Sequence, residues 1–229
     1  MKKCAFIGGY DKLEMLMFLG KIASLSGEKV LIIDCTVPQK ARYIVPVMNP
    51  TQKYITTFEG IDIAVGFYNF NEIVEYSFNN TLDYDLVILD IDTPEAYMDF
   101  GIKPLDVHCF VTAFDLYSIR TGIETLEAIQ IPTKVTKIYF TRDMDPAEDD
   151  YVMALSQNLQ VEWNEEIIFF PFERGDRNVL NINQRFAKIK IRGLSKDYIE
   201  ALMFIAEANL GLRSGDIRKA IKIMDREWF

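Results

Sequence analysis

The sequence predicts a doubly wound α/β fold, in which a mostly parallel sheet carries helices on both faces. Short apolar runs recur along the 229-residue chain, and several are apolar throughout instead of alternating with polar residues. Strands that are buried on both faces of a parallel sheet have this composition. Helical patterns separate the runs, so strand and helix alternate, and we expect right-handed crossover connections.

The elements are expected in the following order. Strands are predicted at 4–7, 30–33, 61–65, 86–89, 107–111, 135–140 and 167–170, and helices at 12–26, 71–79, 115–130, 148–159 and 195–210. The first helix is apolar on nearly every side and stops at Gly27, so we expect it against the sheet. Residues 186–192 alternate apolar and basic side chains, which is typical of an edge strand. We predict one domain over 1–210 and an appended helix over 211–229.

The composition excludes several classes of protein. The net charge of −9 and the pI near 4.8 disfavour nonspecific DNA binding by the whole surface. The three cysteines have no CxxC spacing, which argues against a disulfide scaffold or a zinc ribbon and favours a reducing, cytoplasmic setting. The single histidine, His108, excludes mechanisms that need several imidazoles. No apolar run approaches the roughly twenty residues of a membrane-spanning helix.

One candidate binding site is the turn after the first predicted strand. The chain reads Gly8-Gly9-Tyr10-Asp11-Lys12 between that strand and the apolar helix. In open α/β folds, backbone N–H groups and a helix N-terminus converge on an anion at this point. A Gly-Gly pair also permits any tight turn, so a purely structural loop is the alternative.

The chain resembles the MinD/ParA family of deviant P-loop ATPases, whose first loop runs Lys-Gly-Gly-x-Gly-Lys-Thr/Ser. Residues 8–12 match that loop, 30–34 match the second strand with its terminal aspartate, and 84–90 match the Walker B strand. The resemblance covers about residues 1–175 and implies a P-loop NTPase-like fold that binds ATP or ADP. It also implies protein partners, a homodimer or a heterodimer with a related ATPase, and a role in positioning cellular machinery. The nucleotide-binding residues that it implies are Gly8, Gly9, Lys12, Asp34 and Asp90.

Four positions depart from the pattern of that family. Asp11 replaces the glycine before the lysine, and its carboxylate would repel phosphates. Leu13 replaces the Thr or Ser whose hydroxyl ligates Mg²⁺. Ile7 replaces the signature lysine, and Thr36 replaces an aspartate that by analogy helps to position the attacking water. Because such contacts supply several kcal/mol of transition-state stabilisation, we predict a pseudo-ATPase scaffold with little or no hydrolysis and weak Mg²⁺ binding.

Other interpretations of these residues stay open at this stage. The chain could be an active, divergent ATPase for spatial positioning or DNA partition, with Glu14 or Asp92 as a substitute Mg²⁺ ligand. Lys12, Asp34 and Asp90 could also have purely structural roles, since carboxylates often cap the ends of parallel strands. A nicotinamide-dependent Rossmann enzyme is remote, because the loop lacks the G-x-G-x-x-G spacing. The acidic stretch 143–150 lacks the EF-hand pattern and is typical of a solvated loop and the start of a helix.

The tail from Ser214 has the pattern of a basic amphipathic helix. Four apolar residues recur at helical spacing, and basic residues lie off that stripe. A basic amphipathic helix that ends in Trp-Phe is typical of a membrane-surface anchor, and MinD-type proteins resemble this in their C-terminal targeting segment. The alternative is a last helix that packs on the body or on a partner. The residues predicted to contact a membrane or a partner are Ile217, Lys219, Ile221, Lys222, Met224, Trp228 and Phe229.

Overall fold

The computed structural model describes residues 1–47, 52–77, 81–141, 145–171 and 173–226. Its strands are β1 (Lys2–Ile7), β2 (Val30–Asp34), β3 (Tyr54–Phe58), β4 (Ile61–Val65), β5 (Leu86–Ile91), β6 (Val107–Thr112), β7 (Thr133–Tyr139) and β8 (Val161–Phe169). Its helices are α1 (Leu13–Leu25), α2 (Ala41–Ile44), α3 (Phe70–Tyr76), α4 (Pro94–Asp99), α5 (Leu116–Leu126), α6 (Pro146–Ser156), α7 (Arg174–Phe186), α8 (Lys196–Ala208) and α9 (Ser214–Arg226).

The strands form one sheet in the order β3-β4-β2-β5-β1-β6-β7-β8. Every neighbouring pair is parallel except β3 and β4, which pair antiparallel at one edge. The sheet therefore confirms the predicted doubly wound α/β class. Because the strands are parallel, the loops that follow their carboxyl ends meet along a single edge of the sheet.

Each face of the sheet has its own apolar core. The core on one face is built around α1, where ten of the thirteen helical residues are buried, and it includes apolar residues of α8 and α9. The core on the other face includes residues of α3, α4, α5 and α6. Central strands supply both cores, since Ile88 belongs to the first and Val87 to the second. The strands are thus buried on both faces, as their uninterrupted apolar runs predict.

Two of the predicted elements differ in the structure. The edge strand predicted over 186–192 is wrong: Phe186 is the last residue of α7, and Ile189, Lys190 and Ile191 are buried in the connection to α8. The strand predicted over 167–170 begins earlier, because β8 starts at Val161. Helix α7 was not predicted, since its sequence contains three asparagines, an aspartate and a glycine, which are poor helix formers. A capping box between Glu173 and Asp176 stabilises its first turn.

Candidate functional site

The loop that joins β1 to α1, residues 8–12, is packed tightly against neighbouring backbone. Gly8 adopts φ +146°, and a Cβ at this position would lie 2.0 Å from the carbonyl oxygen of Val111 at the end of β6. A Cβ on Gly9 would lie 2.8 Å from the Cβ of Thr121 in α5. The two glycines are therefore required by close packing of the loop itself, whether or not an anion binds there.

Lys12 directs its side chain back into its own loop. Its ammonium lies 2.6 Å from Oδ1 of Asp90 and donates to the carbonyl oxygens of Gly8 at 2.7 Å and Ile91 at 3.3 Å. An ammonium has three N–H donors, so these three acceptors occupy all of them. Lys12 is only 2% exposed. To donate to a phosphate, this lysine would have to give up at least one of these partners.

Asp34 and Asp90 lie side by side on β2 and β5, at paired positions of the parallel register. Asp34 is held by donors from its own strand end, since Thr36 donates through its backbone N–H at 3.1 Å and its hydroxyl at 2.6 Å. The N–H of Ala41 donates to the other oxygen of Asp34 at 2.9 Å. Thr36, which stands where the family has its second aspartate, thus serves as a partner of Asp34.

Burial dominates the electrostatics of Asp90. It raises the pKa of this carboxyl from its ordinary value to about 7, although Lys12 opposes the shift and Asp34 adds to it. Asp92, two residues further on, accepts from the N–H of Val37 at 3.1 Å, and burial raises the pKa of Asp92 as well. The three carboxyl groups therefore lie in a poorly solvated cluster, and Lys12 is the cation that contacts Asp90 directly.

The residues present do not fit Mg²⁺ ligation in the manner of the family. Leu13 is 1% exposed and forms part of the apolar core around α1. Asp11 forms an ion pair with Lys40 at 2.5 Å at the mouth of the loop. Glu14 accepts a hydrogen bond from Gln184 of α7 and lines the neighbouring cavity. Within the described ranges, no group of three or more His, Cys, Asp or Glu side chains is arranged so that it could hold a metal ion.

The space above the loop is too small for a nucleotide in this conformation. The cavity lined by residues 8–13, Asp34, Asp90 and Asp92 has a volume of about 40 Å³. A neighbouring cavity of about 170 Å³ lies beside Glu14, Arg177 and Gln184. Its roof includes the ring of Tyr10, which contacts Phe140 with 4.6 Å between centroids. Small-molecule sites commonly have volumes of about 300–1,000 Å³.

The structure brings together all five nucleotide-binding residues that the resemblance implies, because Gly8, Gly9, Lys12, Asp34 and Asp90 line one cavity. Of the two substitute Mg²⁺ ligands, Asp92 lines this cavity, whereas Glu14 lines the neighbouring one. Lys40 also lines the first cavity and was not predicted. Its involvement could not be read from sequence spacing, since α2 brings it to Asp11 from 29 residues away.

The tail helix α9 packs on the body of the protein. Ile217, Ala220 and Met224 are buried in the core around α1, and Ile221 is half-buried against it. Lys219 contacts Asp216 on its own helix, and Lys222 is exposed. Trp228 and Phe229 lie outside the described residues. Within the described part of the tail, Ile217 and Met224 are thus covered by the body of the protein, as the alternative of a packed last helix predicts.

Comparisons with known proteins agree on the fold. A ParA family ATPase from Chlorobium tepidum TLS superimposes with a TM-score of 0.58 at 14% identity, over 89% of this chain and 96% of that one. The MinD cell division protein of Aquifex aeolicus gives 0.53 at 15% identity, over 92% and 97%, and its complex with MinC gives 0.52 at 14%, over 100% and 98%. A plasmid partition protein from Borrelia burgdorferi B31 bound to AMPPNP gives 0.51 at 12%, over 97% and 98%.

The chain therefore has the fold of the MinD/ParA-type P-loop ATPases, as the resemblance implies. No protein-family model matches the sequence, and no curated protein matches it. At 12–15% identity these structures establish the fold and not the activity. Within the part of the chain that the structure describes, no helix is long and apolar enough to cross a membrane.

Proposed function

We propose that this protein is a pseudo-ATPase with the MinD/ParA fold, which acts as a cytoplasmic scaffold that helps to assemble or position cellular machinery. The observation that carries the proposal is the state of Lys12. In a working phosphate loop this lysine contacts the nucleotide, whereas here all three of its donors are engaged by Asp90, Gly8 and Ile91. The buried side chain of Leu13 at the Mg²⁺-ligand position supports the same conclusion.

Isothermal titration with ATP and Mg²⁺, run beside a phosphate-release assay, tests this proposal. We expect no turnover above buffer, and a heat signal that is weak or absent. An authentic ParA-type ATPase measured in parallel serves as the positive control. Turnover at the rate of that control, lost in a Lys12→Met variant that still folds, would refute the pseudo-ATPase and would establish an enzyme.

A divergent active ATPase is the second candidate. The position of Asp92 favours it, because this residue is better placed than Glu14 to replace the missing Mg²⁺ ligand. Asp92 lines the same cavity as Lys12, so its carboxylate is the substitute Mg²⁺ ligand that the geometry allows. If this candidate is correct, Asp92→Asn should abolish Mg²⁺-dependent turnover, whereas the matched variant Glu14→Gln in the neighbouring cavity should retain it. Equal turnover in both variants would exclude Asp92 as the ligand.

The protein partner that we propose would bind at the edge of the sheet where the parallel strands end. Large apolar side chains that are between 61% and 84% exposed lie in the loops and helix starts that follow β2, β4 and β6. Exposed apolar surface marks interaction sites when it is contiguous, and a parallel sheet brings the loops after these strands to one edge. We propose that a second copy of this chain or a related ATPase covers them. The residues are Val37, Tyr43, Tyr68, Leu116 and Tyr117.

Light scattering coupled to size exclusion tests the partner surface. If the chain is a homodimer, Tyr43→Ser combined with Tyr117→Ser should shift it to a monomer. The control, Leu105→Ser, removes an even more exposed apolar side chain from the opposite edge and should leave the mass unchanged. A dimer that persists in the double variant would place the interface elsewhere.

Membrane anchoring by the tail is a separate proposal, and it requires a change in the structure. Because Ile217 and Met224 are fully buried against the body, α9 would have to detach before its apolar stripe could reach lipid. Sedimentation with anionic liposomes tests this, using the intact chain beside a variant truncated at Leu212. If the intact chain and the truncated variant sediment equally, α9 does not anchor the protein to the membrane and only packs on its body.

A further inference from the structure

A wide groove lies at the edge of the sheet where β6, β7 and β8 begin, which is opposite the edge that carries residues 8–12. Its volume is about 850 Å³, far above that of the cavity beside Lys12. Strand β8 forms one wall, and the C-terminal end of α8 forms another. A groove of this size is within the range of small-molecule sites, about 300–1,000 Å³.

A bulge in β8 shapes one wall of the groove. Val135 of β7 pairs with Trp163, but Lys137 pairs with Ile167, so a single residue of β7 faces three residues of β8. The three residues are 164–166, two more than the register of β7 requires, and the amide of Asn164 donates to the hydroxyl of Thr136 at 2.7 Å. Bulges of this kind re-aim side chains and are common beside binding sites.

The lining of the groove is predominantly acidic. The bulge places Glu165 and Glu166 at the surface, and both are exposed. Carboxylates accept hydrogen bonds and attract cations, whereas the lining contributes a single lysine, Lys134. A cationic ligand therefore fits this wall better than an anionic one. The acidic lining residues are Asp106, Glu162, Glu165 and Glu166.

A buried amide at the base of the groove provides a second and independent indication of a ligand. Asn209 is 6% exposed and lines the groove, and its Nδ2 donates to the hydroxyl of Thr136 at 3.2 Å. Its Oδ1 has no hydrogen-bond partner among the described residues. If the amide is turned over, its oxygen accepts from Thr136 and its nitrogen becomes the unpartnered atom. In either orientation, one buried polar atom lacks a partner, which native proteins usually avoid.

The rim of the groove is apolar. Leu105 is 99% exposed and Phe204 is 42% exposed, although both are large apolar side chains. Pro104 and Pro132 lie on the same rim. The groove thus presents apolar contacts at its rim, carboxylates along one wall and an amide at its base.

We propose that this groove binds an extended peptide segment of a partner protein in which lysine or arginine alternates with apolar residues. The cationic side chains would pair with Glu165 and Glu166, and the apolar ones would cover Leu105 and Phe204. The peptide backbone carries both donors and acceptors, so it can satisfy the amide of Asn209 in either orientation. A small organic cation would leave the apolar rim uncovered. The site does not involve Lys12 or its loop, so it is independent of whether a nucleotide binds.

Fluorescence anisotropy with a labelled peptide of alternating lysine and leucine tests the proposal on the full chain. The groove variant is Glu162→Gln with Glu165→Gln and Glu166→Gln, which should weaken binding by about tenfold or more. The matched control is Glu75→Gln with Glu95→Gln and Glu124→Gln, which removes the same charge from exposed positions on α3, α4 and α5. This control should change the affinity by no more than about twofold, the effect expected of distant charges at physiological salt.

Two further variants keep the proposal testable if the charge changes perturb folding. Leu105→Ser alters a fully exposed side chain and should weaken the lysine–leucine peptide while leaving the thermal melting curve unchanged. Asn209→Leu removes the unpartnered amide and should also weaken it. A peptide of alternating lysine and serine should bind less well to the unaltered chain than the lysine–leucine peptide.

Several results would overturn the proposal. Equal weakening by the groove variant and by the control would show attraction to the overall negative charge. Equal binding of the serine and leucine peptides would remove the apolar rim from the site. Complete displacement of the peptide by a simple diamine would indicate a small-cation site. A chain that self-associates through this groove, and becomes monomeric in the groove variant, would make a second copy the occupant.

Discussion

The polar side chains at the two edges of the parallel sheet differ in burial and in hydrogen bonding. At the carboxyl edge, Lys12, Asp34 and Asp90 are buried and bound to partners within the protein, and the cavity between them is about 40 Å³. At the amino edge, Glu165 and Glu166 are exposed to a groove of about 850 Å³, and the amide of Asn209 is incompletely bonded. The edge where the fold usually binds its ligand is thus closed by internal contacts, whereas the opposite edge is open.

The largest expected effect comes from breaking the buried ion pair at the carboxyl edge. Lys12→Met leaves the carboxyl of Asp90 buried without its cation, so we expect a loss of about 3–5 kcal/mol in the free energy of unfolding at pH 8. Urea denaturation measures this loss. The double variant Lys12→Met with Asp90→Leu removes both charges and should recover most of the stability. If Lys12→Met alone is neutral, the pair does not hold the loop closed.

Gly8→Ala tests the tight packing of the same loop. The added Cβ would lie 2.0 Å from the carbonyl oxygen of Val111, at a φ of +146° that side chains rarely adopt. We expect a loss of about 2–4 kcal/mol, which combines backbone strain with overpacking. The matched control is Gly175→Ala in α7, where nothing lies within 4 Å of the new Cβ and where the change should be neutral or slightly stabilising. Similar melting temperatures for both variants would contradict the packing argument.

The pH dependence of stability tests the buried carboxyl itself. Burial raises the pKa of Asp90 to about 7 in the folded protein, so the native state binds more protons than the unfolded state between pH 4 and 7. The contribution of this group to stability is therefore complete at low pH and is lost as the pH rises through about 7. We expect the free energy of unfolding to fall by up to about 1.4 kcal/mol per pH unit over this window, the limit for one proton.

Asp90→Asn should flatten that slope, and denaturation curves at several pH values measure it. Burial also raises the pKa of Glu14, so Glu14→Gln serves as a comparison that removes a separate contribution of the same sign. A slope that is unchanged in Asp90→Asn but reduced in Glu14→Gln would assign the proton uptake to the neighbouring cavity.

The carboxyl edge could be predicted from the sequence in outline, and the amino edge could not. Apolar runs that end in glycine or aspartate locate β1, β2 and β5, and a parallel sheet necessarily brings their carboxyl ends together. Whether Lys12 faces a ligand or its own loop depends on side-chain contacts that no spacing encodes. Likewise, the bulge at 164–166 arises from a change of register between β7 and β8, which leaves the residue pattern of each strand intact. Helix α7 was not predicted because most of its residues are polar and its few apolar residues do not form an apolar run.

The smallest expected effect on stability belongs to the amino edge, and it sharpens the contrast between the two edges. Glu162→Gln with Glu165→Gln and Glu166→Gln removes three carboxylates that are exposed to solvent. Because exposed substitutions usually have small effects, the free energy of unfolding should change by less than about 0.5 kcal/mol. Relief of repulsion among neighbouring acids would make any change a slight gain. Urea denaturation beside the Lys12→Met variant makes the comparison directly. A loss of more than about 2 kcal/mol would mean that these glutamates hold the bulge in place, and the groove would then be a structural feature and not a free surface.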